Sequence, residues 1–161
     1  MLKLDNDLKL TTVVSGFANV SNSKKVNSGY LITDSDQGVV YTFDGTNKTM
    51  LTGGSDFTDG ALISVIKYGT SLLVLDNQQS MIRRVNPVTG KALLWAGKGV
   101  QGWATVDVDK LQTTFYYPNS IAADIAGNVF VAEQHRVMKI SPEGKVLLYA
   151  GFEKDGDIYS T

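Results

Sequence analysis

One strand–turn–strand pattern occurs three times in this chain, and that repetition limits the fold more than any other feature. It is clearest in YPNSIAADIAGNVFVAEQHRVMKISPEGKVLLYAG, residues 117–151. The bursts SIAADIA, NVFVAE, RVMKIS and KVLLYAG are short, rich in Val and Ile, and partly alternating, which reads as strand. The breaks between them are Gly127–Asn128, Gln134–His135 and Pro142–Gly144. Gly and Asn accept positive φ and Pro fixes φ, so each break has a turn mechanism. No helical period competes, and a four-stranded antiparallel meander results.

Placing Gly151 over Gly97 and Gly54 aligns KVLLYAG, KALLWAG and KTMLTGG. A Lys lies six residues before each Gly (Lys145, Lys91 and Lys48), with an apolar pair between. Upstream, NVFVAE aligns with SLLVLD and GYLITD, each ending in an acid: Glu133, Asp76 and Asp34. In the third strands the expected inward pairs are Val137/Ile140, Ile82/Val85 and Val40/Phe43. Gly16 closes a lone leading strand, LKLTTVVSG, which matches only the last strand of a repeat. The terminal glycines at 16, 54, 97 and 151 are 38, 43 and 54 residues apart.

A four-stranded meander recurring about every 40 residues is the signature of a β-propeller blade. A single twisted sheet cannot cover both of its apolar faces, whereas blades stacked around an axis cover one another. An all-β sandwich is the competing reading. The third copy resembles an NHL repeat. Pro118, Ile121, Ala122, Asp124, Gly127, Asn128, Val131, Ala132, His135, Arg136 and Gly151 fall in that family's register, with Glu133 where Asp is usual. Residues 96–118, AGKGVQGWATVDVDKLQTTFYYP, are similar to its Gly-rich link, with Phe115 ahead of the Pro. Copies one and two lack the Pro–Ile-Ala-x-Asp opening and the His-Arg pair.

The expected fold is therefore all-β, an incomplete NHL-like ring of about three four-stranded blades. Residues 1–161 form one partial domain: a leading outer strand over 1–16, blades over 17–54, 55–97 and 98–151, and a truncated link over 152–161. Propellers usually close with at least four blades. Further blades are expected from a longer chain or from a second copy.

Totals exclude several chemistries. There is no Cys, so disulfides, Cys-ligated zinc and thiol catalysis are out. A net charge of −1 gives no overall pull toward nucleic acid or anionic lipid. No apolar run approaches the length of a membrane span, and MLKLDNDLKL lacks the apolar core of a signal peptide. The compartment is not legible.

The candidate binding residues are Trp103, Phe115, Asn119, His135 and Arg136. His135 is the only His and has no second His or Cys with which to share zinc, so its turn is read as structural. Asp34, Asp76 and Glu133 recur at one blade position; they are read as caps of their own turns, with a calcium ring as the alternative. Resemblance to lactonase-type propellers would make Asn119 a metal ligand, but copies one and two have no equivalent Pro-Asn. VDVDK, residues 106–110, spaces two Asp like an incipient calcium loop and is read as a solvated linker. Arg83–Arg84 and Lys24–Lys25 are read as solvated strand ends. Trp95 is placed between blades or on the rim, and Trp103 at a mouth or plugging the gap between blades two and three. No nucleophile–base pair, metal cluster or cofactor motif stands out, so no catalytic residue, metal or cofactor is expected. The functional expectation is a non-enzymatic module for protein binding or assembly, with loops such as 98–117 facing a partner. The alternative is a fragment of a lactonase-like or lyase-like metal-dependent enzyme.

Overall fold

The computed structural model describes residues 2–4, 10–12, 14–26, 28–53, 57, 61–103 and 107–151. These residues hold strands and no helix. Strands β1 (Leu2–Leu4) and β2 (Leu10–Thr12) pair with each other. Strands β3 (Val20–Val26), β4 (Gly29–Asp34), β5 (Val39–Phe43) and β6 (Lys48–Thr52) form the first four-stranded sheet. The second contains β7 (Leu62–Tyr68), β8 (Ser71–Asp76), β9 (Met81–Val85) and β10 (Ala92–Ala96). The third contains β12 (Ser120–Ala123), β13 (Val129–Ala132), β14 (Arg136–Ile140) and β15 (Lys145–Gly151). The two-residue β11 (Val108–Asp109) adds to the edge of β15. Every ladder within these sheets is antiparallel, as a meander requires.

The middle sheet is buried on both faces, which is why SLLVLD reads as one unbroken apolar run. Leu72 and Val74 pack with Leu31, Val40, Leu62 and Val65 toward the first sheet. Leu73 and Leu75 pack with Ile121, Val129, Val131, Met138 and Ile140 toward the third. A bulge between Leu62 and Ser64 lets Leu62 and Val65 share a face despite their odd spacing. β7 lies against both β3 and β12, so the first strands of the three sheets stand side by side around a common axis. Polar side chains complete those contacts: Ser21 Oγ donates to Leu62 O at 2.5 Å, and Ser64 Oγ accepts from Ile121 N at 3.3 Å.

The recurring glycine follows from a close approach. A Cβ at Gly97 would sit 2.7 Å from Ser80 O, and one at Gly151 would sit 2.3 Å from His135 O. The matching contact in the first sheet belongs to Gly53, whose Cβ would meet Val39 Cγ2 at 2.8 Å. The sequence alignment through Gly54 is thus off by one, and Gly54 lies outside the described residues. Asn47 O, Lys91 O and Lys145 O each accept from the residue that opens its turn, so Asn47, not Lys48, matches the two lysines. The pairs Gly53–Gly54 and Asn47–Lys48 let either register fit the letters.

Three further expectations change. The leading segment is not a lone strand, because Leu10–Thr12 pairs with Leu2–Leu4. VDVDK is not only linker, since Val108 and Asp109 pair with β15; Val106 lies outside the described residues. The supposed inward pairs divide between faces, because a three-residue spacing points side chains to opposite sides of a strand. Ile82 packs toward the third sheet and Val85 toward the first. In β14 the buried residues are Arg136, Met138 and Ile140, with Val137 half-buried on the other face.

Antiparallel pairing sorts the turns into two ends. One end carries the turns after β4, β8 and β13 together with the links entering β3, β7 and β12. The other carries the remaining turns.

Candidate functional site

The three repeated acids sit at the first of these ends, and each ties backbone in place. Asp34 accepts from Ala18 N (2.7 Å), Asn19 N (3.1 Å) and Gln37 N (3.3 Å). Asp76 Oδ1 accepts from Gln79 N at 3.0 Å, while its buried Oδ2 has no hydrogen-bond partner. Burial pushes the Asp76 carboxyl above its usual 3.8, against the opposing pull of the Gln79 amide and Arg83. Glu133 Oε1 accepts from Tyr116 N at 3.0 Å, and Oε2 pairs with Arg136 Nε. Both side chains of that ion pair are 1% exposed. Burial pushes the Glu133 carboxyl upward, and the Arg136 hydrogen bond pulls it back. Among the described residues no three His, Cys, Asp or Glu side chains gather as a metal would need.

In the third sheet the acid supports an aromatic column. The Arg136 guanidinium lies 4.5 Å from the centre of the Trp103 ring. Trp103 stacks on Tyr116, with centroids 4.7 Å apart and planes 27° apart. Tyr116 meets Tyr117 edge-on at 4.9 Å. Tyr117 ends the column 49% exposed, with a backbone φ of 46°. A bulky residue rarely adopts that left-handed conformation. Next to it, Pro118 is buried, and its carbonyl accepts from Asn77 Nδ2 of the second sheet at 2.6 Å. Tyr116, Tyr117, Asn119 and Gln134 line a shallow concavity in front of the column.

Trp103 and Arg136 touch each other, and Asn119 lines the concavity. Phe115 is 0% exposed and packs between the second and third sheets, so it acts as a foundation and not as a contact. Phe115, not Trp103, fills that seam. His135 is exposed on the adjoining turn, and the concavity's lining does not include it. Tyr116, Tyr117 and Gln134 escaped the sequence reading. The signal available was FYYP, in which two tyrosines separate the seam-filling Phe115 from the anchored Pro118.

The remaining candidates have local roles. Asp109 Oδ1 accepts from Leu111 N at 2.8 Å, and Asp107 meets Lys145 at 2.9 Å on the surface. Arg84 donates to Ser71 Oγ at 2.9 Å, whereas Arg83 lies 5.4 Å from the Phe57 ring centre. Trp95 packs in the seam between the second and third sheets, edge-on to Tyr68 at 5.6 Å. A more apolar groove opens at the far end between the first two sheets, lined by Tyr30, Leu31, Leu51, Leu72 and Pro87. Ser28, Thr42, Asp44, Lys67, Thr70 and Ser71 supply its polar lining.

Solved structures with the same arrangement include an auxiliary nutrient binding protein from Bacteroides thetaiotaomicron. Its TM-score is 0.71 at 16% identity, over 93% of this chain and 40% of that one. The fold is a β-propeller. A streptogramin B lyase matches with a TM-score of 0.63 at 12% identity, over 92% of this chain and 46% of the lyase. A gluconolactonase from Xanthomonas campestris matches at 0.57 and 15% identity, over 76% and 43%. This chain therefore spans less than half the length of these propellers. No protein-family model matches the chain. No curated protein matches it either.

Proposed function

We propose that this chain is a non-enzymatic binding module of an NHL-type β-propeller, which takes its ligand at the Tyr117 end of the third blade. The observation that carries this reading is the column Arg136–Trp103–Tyr116–Tyr117, in which a buried ion pair holds a strained, half-exposed aromatic ring toward solvent. Binding surfaces commonly use rigid aromatic anchors of this kind. Nutrient binding by one propeller of similar fold agrees with it.

The module belongs to a larger ring. On the outward face of the third blade, Phe130, Val137 and Leu147 are half-buried, and Tyr149 is 63% exposed. Phe130 and Tyr149 meet edge-on at 4.9 Å. This is apolar surface of the kind that blades cover for one another. The partner there is a further blade, from the same chain or from a second copy.

The second reading is a sector of a metal-dependent lactonase-like or lyase-like enzyme, favoured by the lyase and the gluconolactonase of similar fold. It would require ligands converging from several blades, with Asn119 as one of them. Lactone hydrolysis assays with added Ca²⁺ and Zn²⁺ separate the two. The binding reading expects no metal-stimulated turnover; turnover abolished by Asn119→Ala would replace it with the enzymatic one.

A further inference from the structure

The Tyr117 concavity has a chemistry of its own, and it narrows the ligand class. We infer that it is a subsite for a neutral saccharide ring, stacked on Tyr117 and hydrogen-bonded by the side-chain amides of Asn119 and Gln134. This rests on the binding-module reading and specifies what that module binds.

None of the four lining residues is Asp, Glu, Lys, Arg or His. The charges below them, Glu133 and Arg136, are paired and buried. An anionic or cationic ligand would lose hydration here and find no opposite charge among the lining residues. That argues against phosphates, carboxylates and amines, and against nucleic acid, whose affinity depends on basic side chains.

Asn119 and Gln134 are exposed, and each amide offers both donors and an acceptor. Ring hydroxyls also donate and accept at once, so an amide pair meets a polyol without leaving either side unpaired. The face of the Tyr117 ring carries negative quadrupole density. The axial C–H groups of a pyranose are weakly positive and pack flat against such a face.

Preorganisation completes the case. Tyr117 is backed edge-on by Tyr116, which is held by the Trp103 stack and by its own N–H to Glu133. Pro118 is fixed from the neighbouring blade by Asn77. The ring is thus placed before the ligand arrives, which lowers the entropy lost on binding. A left-handed φ at a Tyr is backbone strain of the kind that concentrates at ligand sites.

The test is calorimetric titration of the intact chain with maltohexaose, cellohexaose and xylohexaose, with adenosine as a stacking ligand of a different class. At least one hexasaccharide is expected to bind with a Kd between about 10 μM and about 1 mM. Tyr117→Ala should weaken that binding about tenfold or more, Tyr117→Phe should retain it within about threefold, and Asn119→Ala should weaken it about fivefold. Thermal unfolding of each variant separates lost binding from lost fold. No heat with any hexasaccharide at about 10 mM overturns the inference. So does binding that Tyr117→Ala leaves unchanged, or binding of adenosine alone. These outcomes leave the binding-module reading standing, because that reading fails by metal-dependent turnover instead.

Discussion

The first and third blades place an acid at the same corner of the same repeat and use it differently. In the first, Asp34 accepts three backbone N–H groups and, among the described residues, forms no ion pair. In the third, Glu133 is longer by one methylene and accepts only one, from Tyr116. Its other oxygen holds Arg136. The link entering the first blade is short and runs close to Asp34. The link entering the third spans residues 97–119, and its aromatic residues are what the Glu133–Arg136 pair supports. A turn-capping device thus becomes the base of the proposed ligand site when a long link crosses it.

The largest expected effect separates these two acids. Glu133→Gln removes the buried charge that pairs with Arg136 Nε and should cost about 3–5 kcal/mol of stability. Asp34→Asn removes one acceptor oxygen from backbone N–H groups and should cost about 1–3 kcal/mol. Urea denaturation measures both; equal costs would mean that Glu133 is only a turn cap.

The corner glycines come next. Gly151→Ala runs into backbone, at His135 O and Arg136 Cα, with a φ of 92°. It should cost about 3 kcal/mol. Gly53→Ala first meets a side-chain methyl of Val39, and should cost about 1 kcal/mol. The same denaturation experiment reads the difference.

Tyr117→Gly reverses the sign. Releasing the left-handed strain should raise stability by about 1 kcal/mol, while removing the exposed ring. Greater thermal stability together with lost saccharide binding is the expected pair of results. A destabilised variant would show that Tyr117 contributes to packing instead.

The fold was more legible than the site. The meander, its threefold repetition and the doubly buried SLLVLD strand all show in short-range patterns of apolar residues and turns. Register in the first copy was not legible, because Gly53–Gly54 and Asn47–Lys48 each offered two matches. The site depends on contacts between distant positions. Nothing local tells Trp103 that Arg136 lies beneath it, or tells Tyr117 that it takes a left-handed φ. Single residues such as Trp103, Asn119 and Arg136 stand out in the sequence, whereas Tyr116 and Tyr117 read as ordinary link residues because the first two copies have no counterpart for them.

The middle blade supplies the smallest and most conditional effect. Asp76 is buried like the other two acids but has an oxygen without a partner, and burial raises its pKa above 3.8. A carboxyl whose folded-state pKa is raised contributes stability that is full below the unfolded value and is lost as pH rises through the folded one. Asp76→Asn removes that dependence. Its stability relative to wild type should therefore increase from about pH 4 to about pH 7. A difference that stays flat across that range would show that solvent reaches the carboxylate.

The most direct measurement is a ¹⁵N–¹H titration of the intact chain with the hexasaccharide that binds. Shifts centred on the amides of Tyr116, Tyr117, Asn119 and Gln134 are the predicted result. Shifts centred on Tyr30, Leu51 and Leu72, in the groove between the first two blades, would contradict the placement of the site.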